Sequence, residues 1–361
     1  MKVTRRAGVL GSVAGVGAAT VAAGLAVERY AVGRYRRTPD PEAGQPFGAL
    51  VADRSRSVTA EDGAALYVEE VGPLDAPLTV VFVHGYCLSM GSWHYQRIGL
   101  TRNGQQANRM VFYDQRGHGR SGRGDSARCT IDQLGRDLFA VLGGLGPGPL
   151  VLVGHSMGGM TIMALAEQHP ELFGDRVVGT VLLSTSTGLL GEVTLGLPAL
   201  LATVKNPLLP ALMRQLGQRA RMAERGRRLG ADLMWLAVRR VGFGGRQVPS
   251  SLVDYAAEMI AATPIPVIAD LYTAVVGHEK LAALAALHAV PTLVVVGGRD
   301  VITPPEHSRR MVAALPGAEL LEIEEAGHVV MMERPDLVNL HLRSLLTRVS
   351  RGDSRRPSRR A

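Results

Sequence analysis

The amino-acid sequence predicts an α/β fold in which a mostly parallel central sheet is flanked by helices. Short apolar runs that are typical of buried strands alternate with segments of helical periodicity along most of the chain. Several of these runs end in a turn that carries a polar side chain. With 361 residues, 46% of them hydrophobic, the chain is long enough to bury a sizeable core. Parallel strands bring their carboxyl ends to one edge, where we expect the ligand site.

The N-terminal segment combines a basic start, MKVTRR, with an uncharged stretch of 21 residues from Ala7 to Val27. At about 1.5 Å per residue this stretch would span roughly 30 Å, the thickness of a bilayer core. Its start resembles a twin-arginine export signal, and a single-span anchor or a frayed helix of a cytoplasmic enzyme are alternatives. Residues 1–37 are therefore predicted to be a signal or membrane-anchor segment, which favours an exported or membrane-associated protein.

The positive net charge of +8 is confined to the two ends of the chain. Residues 1–40 and residues 348–361 each carry +5, which leaves −2 for the body between them. Nucleic-acid binding by the folded body therefore loses its electrostatic support. Cys87 and Cys129 are too few for a disulfide framework, and we favour free thiols.

The first half of the predicted core alternates strands and helices. Residues 38–56 contain turn formers without apolar periodicity and are expected to form a linker, so the folded core is expected to begin at residue 57. The later elements follow in order: a hairpin over Val58–Val71, a strand over Leu78–Val83, a helix over Ser92–Gln106, a strand over Met110–Tyr113 and a helix over Ile131–Leu142. This alternation predicts parallel strands joined by helical crossovers.

The stretch from Leu150 to Gly159 is the most informative part of the chain. An apolar strand runs into GHSMGG, and a helical pattern follows at once. A Gly-x-Ser-x-Gly sequence at a strand-to-helix turn is a nucleophile elbow, in which small flanking residues let the backbone turn sharply. Ser156 is therefore held clear of the sheet, at a helix N-terminus where developing negative charge is favoured.

The alternation breaks after a strand predicted over Val177–Ser184. Residues 187–276 show repeated helical patterns and several prolines, which predicts a helical cap inserted after the sixth strand. The core is thus divided into residues 57–186 and 277–347. Its second part comprises a strand over 291–297, a helix over 304–315, a strand over 319–323 and a helix over 337–346. Residues 348–361 are expected to form a disordered basic tail.

Three residues at strand ends have the chemistry of a catalytic triad. A serine hydroxyl needs a base to take its proton, and the base needs a carboxylate to hold its tautomer. Ser156, Asp300 and His328 each follow a predicted strand, so they can meet at one sheet edge. His328 is the expected general base, and Asp300 is expected to orient it. As alternatives, Asp300 could cap the next helix and His328 could be structural.

Acyl transfer also requires donors that stabilise the oxyanion. The backbone N–H of Met157, directly after the nucleophile, is one expected donor. The second is assigned to the backbone N–H of Tyr86, because Gly85 allows close approach of this loop.

Other residues near these motifs are expected to line or support the site. His84, Gly85, Trp93 and His155 are candidates for the pocket lining, although His84 and His155 read better as hydrogen-bonded core histidines. The turn-rich loop over Asp114–Ser121 is expected to be structural.

Five motifs in a fixed order carry a resemblance to a known family: FVHGY at 82–86, YDQRGHGRS at 113–121, GHSMGG at 154–159, GGRD at 297–300 and GH at 327–328. The sequence resembles the α/β-hydrolase superfamily, in its cap-bearing esterase, haloperoxidase and epoxide-hydrolase-like branch, over about residues 57–347. The resemblance implies the α/β-hydrolase fold.

The resemblance also implies a reaction class. Epoxide hydrolases of this branch use an aspartate at the elbow, whereas Ser156 suits an acyl-serine intermediate and hydrolysis of a carboxylic ester, lactone or thioester. Perhydrolysis or haloperoxidase activity without a cofactor, carbon–carbon bond hydrolysis, acyl transfer and a non-catalytic ligand-binding role remain alternatives. We expect a small, apolar acyl substrate and no metal or cofactor, since the sequence contains no metal cluster or dinucleotide loop.

Overall fold

The computed structural model describes residues 32–101, 108–193, 215 and 231–352. Most of the predicted signal or anchor segment lies outside these residues. Within them, no single helix is both long and apolar enough to cross a membrane. One pair of helices, Ser250–Ala262 and Ile265–Val276, meets that test jointly by length and composition, but the two are bent by 96°.

Eight described strands form one mixed sheet in the order β1-β2-β4-β3-β5-β6-β7-β8. The strands are β1 (Arg54–Thr59), β2 (Ala65–Val71), β3 (Thr79–Val83), β4 (Arg109–Tyr113), β5 (Leu150–His155), β6 (Val177–Leu183), β7 (Thr292–Gly297) and β8 (Glu319–Ile323). Strands β3 to β8 pair in parallel, whereas β1 and β2 are antiparallel. The predicted α/β fold with a mostly parallel sheet is confirmed.

Helices cover both faces of the sheet, which explains why the central strands read as unbroken apolar runs. The described helices are α1 (His94–Thr101), α2 (Ile131–Gly143), α3 (Met157–Gln168), α4 (Ala231–Gly242), α5 (Ser250–Ala262), α6 (Ile265–Val276), α7 (Leu284–Leu287), α8 (Pro305–Ala314), α9 (Val330–Glu333) and α10 (Pro335–Ser350). Every residue of β3, β4, β5 and β7 is buried. Successive residues of one strand enter opposite core layers, as Val80 and Val81 do.

The regular secondary structure that the structure describes between β6 and β7 is helical. Helices α4, α5 and α6 lie in this segment, and α6 packs against the elbow helix α3. The two cysteines are buried free thiols, as expected.

The predicted linker over 38–56 differs from the structure, since it packs on the cap and contains the start of β1. Both oxygens of Asp40 accept hydrogen bonds from the start of α5, including one of 2.7 Å from the Ser251 N–H. Phe47 stacks on Tyr255 of the same helix, with ring centroids 4.8 Å apart. The turn formers do make turns, but composition alone does not reveal that this segment docks elsewhere in the chain.

The last helix is also longer than the sequence indicates. It begins at Pro335 and ends at Ser350, so residues 348–350 of the predicted tail are helical. Arg348 forms an ion pair with Glu319 of β8, which ties this last turn to the sheet. The rest of the predicted tail, beyond residue 352, lies outside the described residues.

A buried cation holds the loop after β4. The Arg116 side chain is fully buried, and its guanidinium donates to Asp137 at 2.7 and 2.8 Å and to Asp62 at 2.7 and 3.2 Å. Desolvation alone would lower the pKa of Arg116, but its hydrogen bonds to the two carboxylates raise it above its ordinary value. The arginine therefore stays charged, and it joins the β1–β2 turn to α2. The Asp114–Ser121 loop is structural in this respect, as expected.

Replacing Arg116 by methionine should destabilise the fold strongly, because it leaves two buried carboxylates without their cation. We expect a loss of about 3–5 kcal/mol in the free energy of unfolding, measured by urea denaturation. As a control, Arg309→Met removes a side chain that is 53% exposed and should cost about 1 kcal/mol or less. Equal losses for the two variants would contradict the structural role of Arg116.

Candidate active site

The turn at Ser156 has an uncommon backbone conformation. Ser156 joins β5 to α3 with φ 51° and ψ −117°, a region that non-glycine residues rarely adopt. Position 158 requires glycine, because a Cβ there would collide with the carbonyl oxygen of Val83 at the end of β3. The sharp strand-to-helix turn that the sequence predicts is therefore seen, with Ser156 at the N-terminus of α3. The role of Ser156 as a nucleophile stays a prediction.

Asp300 and His328 form a buried pair beside this turn. Asp300 follows β7 and His328 follows β8, and the Nδ1 of His328 lies 2.9 Å from Oδ2 and 3.1 Å from Oδ1 of Asp300. A carboxylate accepts, so Nδ1 carries the proton. Burial would raise the pKa of Asp300, but the interaction with His328 and the donors of Thr303 lower it below its ordinary value. The carboxylate is therefore ionised and accepts the proton of Nδ1, which orients the imidazole.

Thr303 is a residue of this site that the sequence analysis did not identify. Its hydroxyl donates to Asp300 at 2.7 Å, and its backbone N–H and that of Ile302 each donate to the same carboxylate at 2.9 Å. Asp300 thus stabilises the turn before α8 and also orients His328. The two roles predicted for it, helix cap and partner of His328, are therefore compatible. The dipeptide Thr-Pro directly after VI is a turn signal, but it does not show that the hydroxyl faces the carboxylate.

The loop after β3 lies directly against the elbow. A Cβ on Gly85 would stand 2.6 Å from Nδ1 of His155 and 3.2 Å from Cβ of Ser156, so only glycine allows this approach. Tyr86 follows at once and lines the same cavity as Ser156. The two residues predicted to supply oxyanion donors, Tyr86 and Met157, therefore both adjoin Ser156. Their roles in stabilising an oxyanion stay predictions.

Hydrogen bonds of His84 and Gln115 fix the loop after β3. The Gln115 N–H donates to Nε2 of His84 at 2.9 Å, so the proton of His84 is on Nδ1, which donates to the Gly85 carbonyl at 2.8 Å. The Gln115 amide donates to the His84 carbonyl at 2.6 Å, and Thr161 of α3 donates to that amide oxygen at 2.7 Å. A chain of hydrogen bonds thus connects the loop after β3, the loop after β4 and the elbow helix.

Three imidazoles around the site are buried and neutral. His155 donates from Nε2 to the carbonyl oxygen of His328 at 3.0 Å, and so supports the backbone of that residue. Burial lowers the pKa of His155 to about 3 and that of His84 to about 4. Burial likewise lowers the pKa of His118 to about 3, and its Nε2 accepts from the Cys87 N–H at 3.2 Å. His84 and His155 are supports, as the sequence indicates.

A cavity of about 310 Å³ brings Ser156 and His328 together under the cap. Most of its lining is apolar and comes from α4, α5, α6 and the loops at the sheet edge. The lining residues are Tyr86, Leu88, His155, Ser156, Met160, Leu190, Ala237, Val238, Val241, Gly242, Phe243, Ala256, Ile260, Val275, Ile302, Thr303, His328 and Val329. Among the described residues the lining contains no Asp, Glu, Lys or Arg.

Of the four residues expected to line the pocket, His155 lines this cavity, and His84, Gly85 and Trp93 are not among the lining residues. Trp93 is fully buried and packs on Phe82 in the core, with ring centroids 5.2 Å apart, so it does not reach the cavity. His84 and Gly85, which precede Tyr86 in the loop after β3, are likewise absent from the lining. The sequence places Trp93 near the site along the chain, but the 3-10 turn over Met90–Trp93 directs its side chain into the sheet.

Comparison with known proteins identifies the fold and the class of enzyme. Residues 80–339 match the model of a family described as the alpha/beta hydrolase family. The chain is 26% identical to a thermophilic esterase from Thermogutta terrifontis, with a TM-score of 0.64 over 82% of this chain and 99% of that structure.

Two further proteins are similar to this chain in sequence. One is the dihydrolipoyllysine-residue acetyltransferase component of an acetoin cleaving system from Pseudomonas putida, 28% identical over 83% of this chain and 71% of the relative. The other is a bifunctional esterase/perhydrolase from Acinetobacter calcoaceticus, 35% identical over 35% of this chain. The second alignment covers 43% of that relative.

The buried imidazoles predict a loss of stability in acid. Between pH 6.5 and 4 the unfolded chain binds protons that the folded His84, His118 and His155 exclude, so the free energy of unfolding should fall as the pH decreases. Each such histidine contributes up to about 1.4 kcal/mol per pH unit. We expect His118→Gln to reduce the slope by about this amount, measured by urea denaturation from pH 7 to pH 4.5.

Exposed His288 provides the matched control. His288→Gln should leave the pH dependence as in the wild-type protein. The account would be contradicted if His118→Gln and His288→Gln gave the same slope as the wild type.

Proposed function

Because the chain belongs to the alpha/beta hydrolase family, we propose that it is a serine hydrolase that cleaves a carboxylic ester, lactone or thioester through an acyl-Ser156 intermediate. One observation carries this proposal: the serine at the elbow lines the same cavity as His328, whose Nδ1 is held by Asp300. The hydrolase class follows from the family. The triad and the type of bond cleaved are our inference from the geometry.

The proposed reaction uses the free nitrogen of His328. Since Nδ1 donates to Asp300, Nε2 is left to accept the proton of the Ser156 hydroxyl as the oxygen attacks the acyl carbon. The N–H groups of Tyr86 and Met157 would stabilise the resulting oxyanion. The leaving alcohol or thiol takes the proton from His328 as its bond to the acyl carbon breaks, and a water then releases the acid by the reverse sequence.

The cavity supports an apolar acyl substrate. Its lining comes mainly from aliphatic side chains of the cap, and the described part of it contains no Asp, Glu, Lys or Arg. Burial of apolar surface would stabilise a bound substrate by roughly 25 cal/mol per Å². A charged acyl group would lose its hydration without gaining a partner there. The name of the structurally similar esterase agrees with hydrolysis of esters.

The names of the two relatives favour a second candidate, transfer of the acyl group to an acceptor other than water. One is an acetyltransferase component and the other an esterase/perhydrolase. Either reaction would share the acyl-Ser156 intermediate: an alcohol or thiol would give a new ester or thioester, and hydrogen peroxide would give a peracid. Product analysis with each acceptor added separates these outcomes from simple hydrolysis.

Replacing Ser156 by alanine should abolish ester hydrolysis. We expect kcat/KM for p-nitrophenyl esters of two to eight acyl carbons to fall by at least about 10⁴-fold, because the nucleophile is lost while the fold is kept. A fluorophosphonate probe should label the wild-type protein on the peptide that contains Ser156 and should not label the variant.

Ser57 on β1 is exposed and serves as a matched control, since Ser57→Ala removes a serine hydroxyl away from the site. This variant should hydrolyse esters and react with the probe as the wild type does. Turnover that persists in the folded Ser156→Ala protein would refute the proposed mechanism.

A further inference from the structure

The side chain of Tyr86 connects the proposed oxyanion hole to the cap. Its backbone N–H is a proposed oxyanion donor, and its side chain lines the cavity beside Ser156. Its hydroxyl donates a hydrogen bond to the backbone carbonyl of Ile268, which belongs to helix α6. One residue thus has its backbone at the reacting centre and its side chain bonded to the cap.

Helix α6 is a firm support for this bond. Val267 and Leu271 on either side of Ile268 are buried, and they pack in one cluster with Met157 and Met160 of the elbow helix. On the same helix, Asp270 accepts a hydrogen bond of 2.9 Å from Arg123 in the loop after β4. The carbonyl that accepts from the Tyr86 hydroxyl therefore lies on a helix, α6, that packs against α3, the helix that presents Ser156.

The residue after Tyr86 shows that this loop needs outside support. Cys87 has φ 60°, in the left-handed region that disfavours residues with a Cβ. Its N–H donates to Nε2 of His118 at 3.2 Å. Its carbonyl shares the hydroxyl proton of Thr263, in the turn between α5 and α6, with the carbonyl of Met259, each at 3.3 Å. The cap thus contacts the loop at two consecutive residues.

We infer that the Tyr86 hydroxyl is a positioning group, through which helix α6 sets the location of the Tyr86 N–H in the oxyanion hole. The inference rests on the proposed function, which makes that N–H an oxyanion donor. It assigns the cap a part in the chemical step in addition to enclosing the substrate. The hydroxyl acts through the loop and forms no bond to the reacting atoms.

The chemistry of the phenol allows a clean test. Burial raises the pKa of the Tyr86 phenol above its ordinary value, so it remains protonated and able to donate. Phenylalanine at this position keeps the ring and the backbone N–H but removes the bond to Ile268. A fall in kcat and in oxyanion affinity at unchanged KM in Tyr86→Phe therefore reports on the position of the N–H.

The test compares Tyr86→Phe with the wild type in steady-state kinetics on p-nitrophenyl butyrate and in inhibition by an alkyl trifluoromethyl ketone. The ketone forms a tetrahedral oxyanion with an active serine, so its affinity reports on the oxyanion donors. Complete loss of one such donor lowers kcat by about 10²–10³-fold, and a displaced donor should lower it less. We expect kcat and ketone affinity each to fall by about tenfold, while KM changes by less than about twofold.

Tyr95→Phe is the matched control, because it removes a tyrosine hydroxyl bond of 3.0 Å to Glu42, away from the oxyanion loop. It should leave both readouts unchanged. Thr263→Val, which removes the neighbouring bond to Cys87, should lower kcat and ketone affinity together and keeps the test available if Tyr86→Phe does not fold.

The inference is overturned if the folded variants keep the wild-type kcat, or if kcat falls while ketone affinity does not. A lower melting temperature with both readouts unchanged would also overturn it, since that is the result of a purely structural role. Failure of the proposed function looks different: wild-type turnover would then survive Ser156→Ala.

Discussion

The turn at Ser156 is the constraint on which the rest of the site depends. A residue at φ 51° and ψ −117° costs on the order of 1–3 kcal/mol, so the surrounding structure must enforce it. Strand β5 fixes one side of the turn, helix α3 fixes the other, and the carbonyl oxygen of Val83 leaves no room for a side chain at Gly158. The parallel sheet therefore holds the strained Ser156 at the carboxyl ends of its strands.

The titratable side chains around this turn differ in charge and in hydrogen-bond partners. Asp300 is ionised and satisfied by donors from His328 and from its own turn. His84 and His155, by contrast, are buried as neutral rings whose hydrogen bonds go to backbone groups. His328 has the ionised carboxylate of Asp300 at its Nδ1, whereas His84 and His155 form hydrogen bonds with backbone groups around it. The proposed division between the base and its supports follows from this difference in partners.

Much of this arrangement could be predicted from the sequence, because it depends on local patterns. Strand ends, the Gly-x-Ser-x-Gly turn and the order of Ser156, Asp300 and His328 are all read from short segments, and the fold they indicate is confirmed. Contacts between distant segments could not be read in this way. The docking of Asp40 on α5, the burial of Trp93 and the bond from Thr303 to Asp300 depend on how separate elements pack, which composition and periodicity do not encode.

The acyl-enzyme itself gives the most direct test of the central claim, that the strained turn presents Ser156 as a nucleophile. The protein would be mixed with an activated ester, quenched in acid within milliseconds to seconds, and analysed by peptide mass mapping. The account predicts that the peptide containing Ser156 gains the mass of one acyl group at the rate at which the alcohol is released in the first turnover. A burst of alcohol with the acyl group on another residue would contradict it.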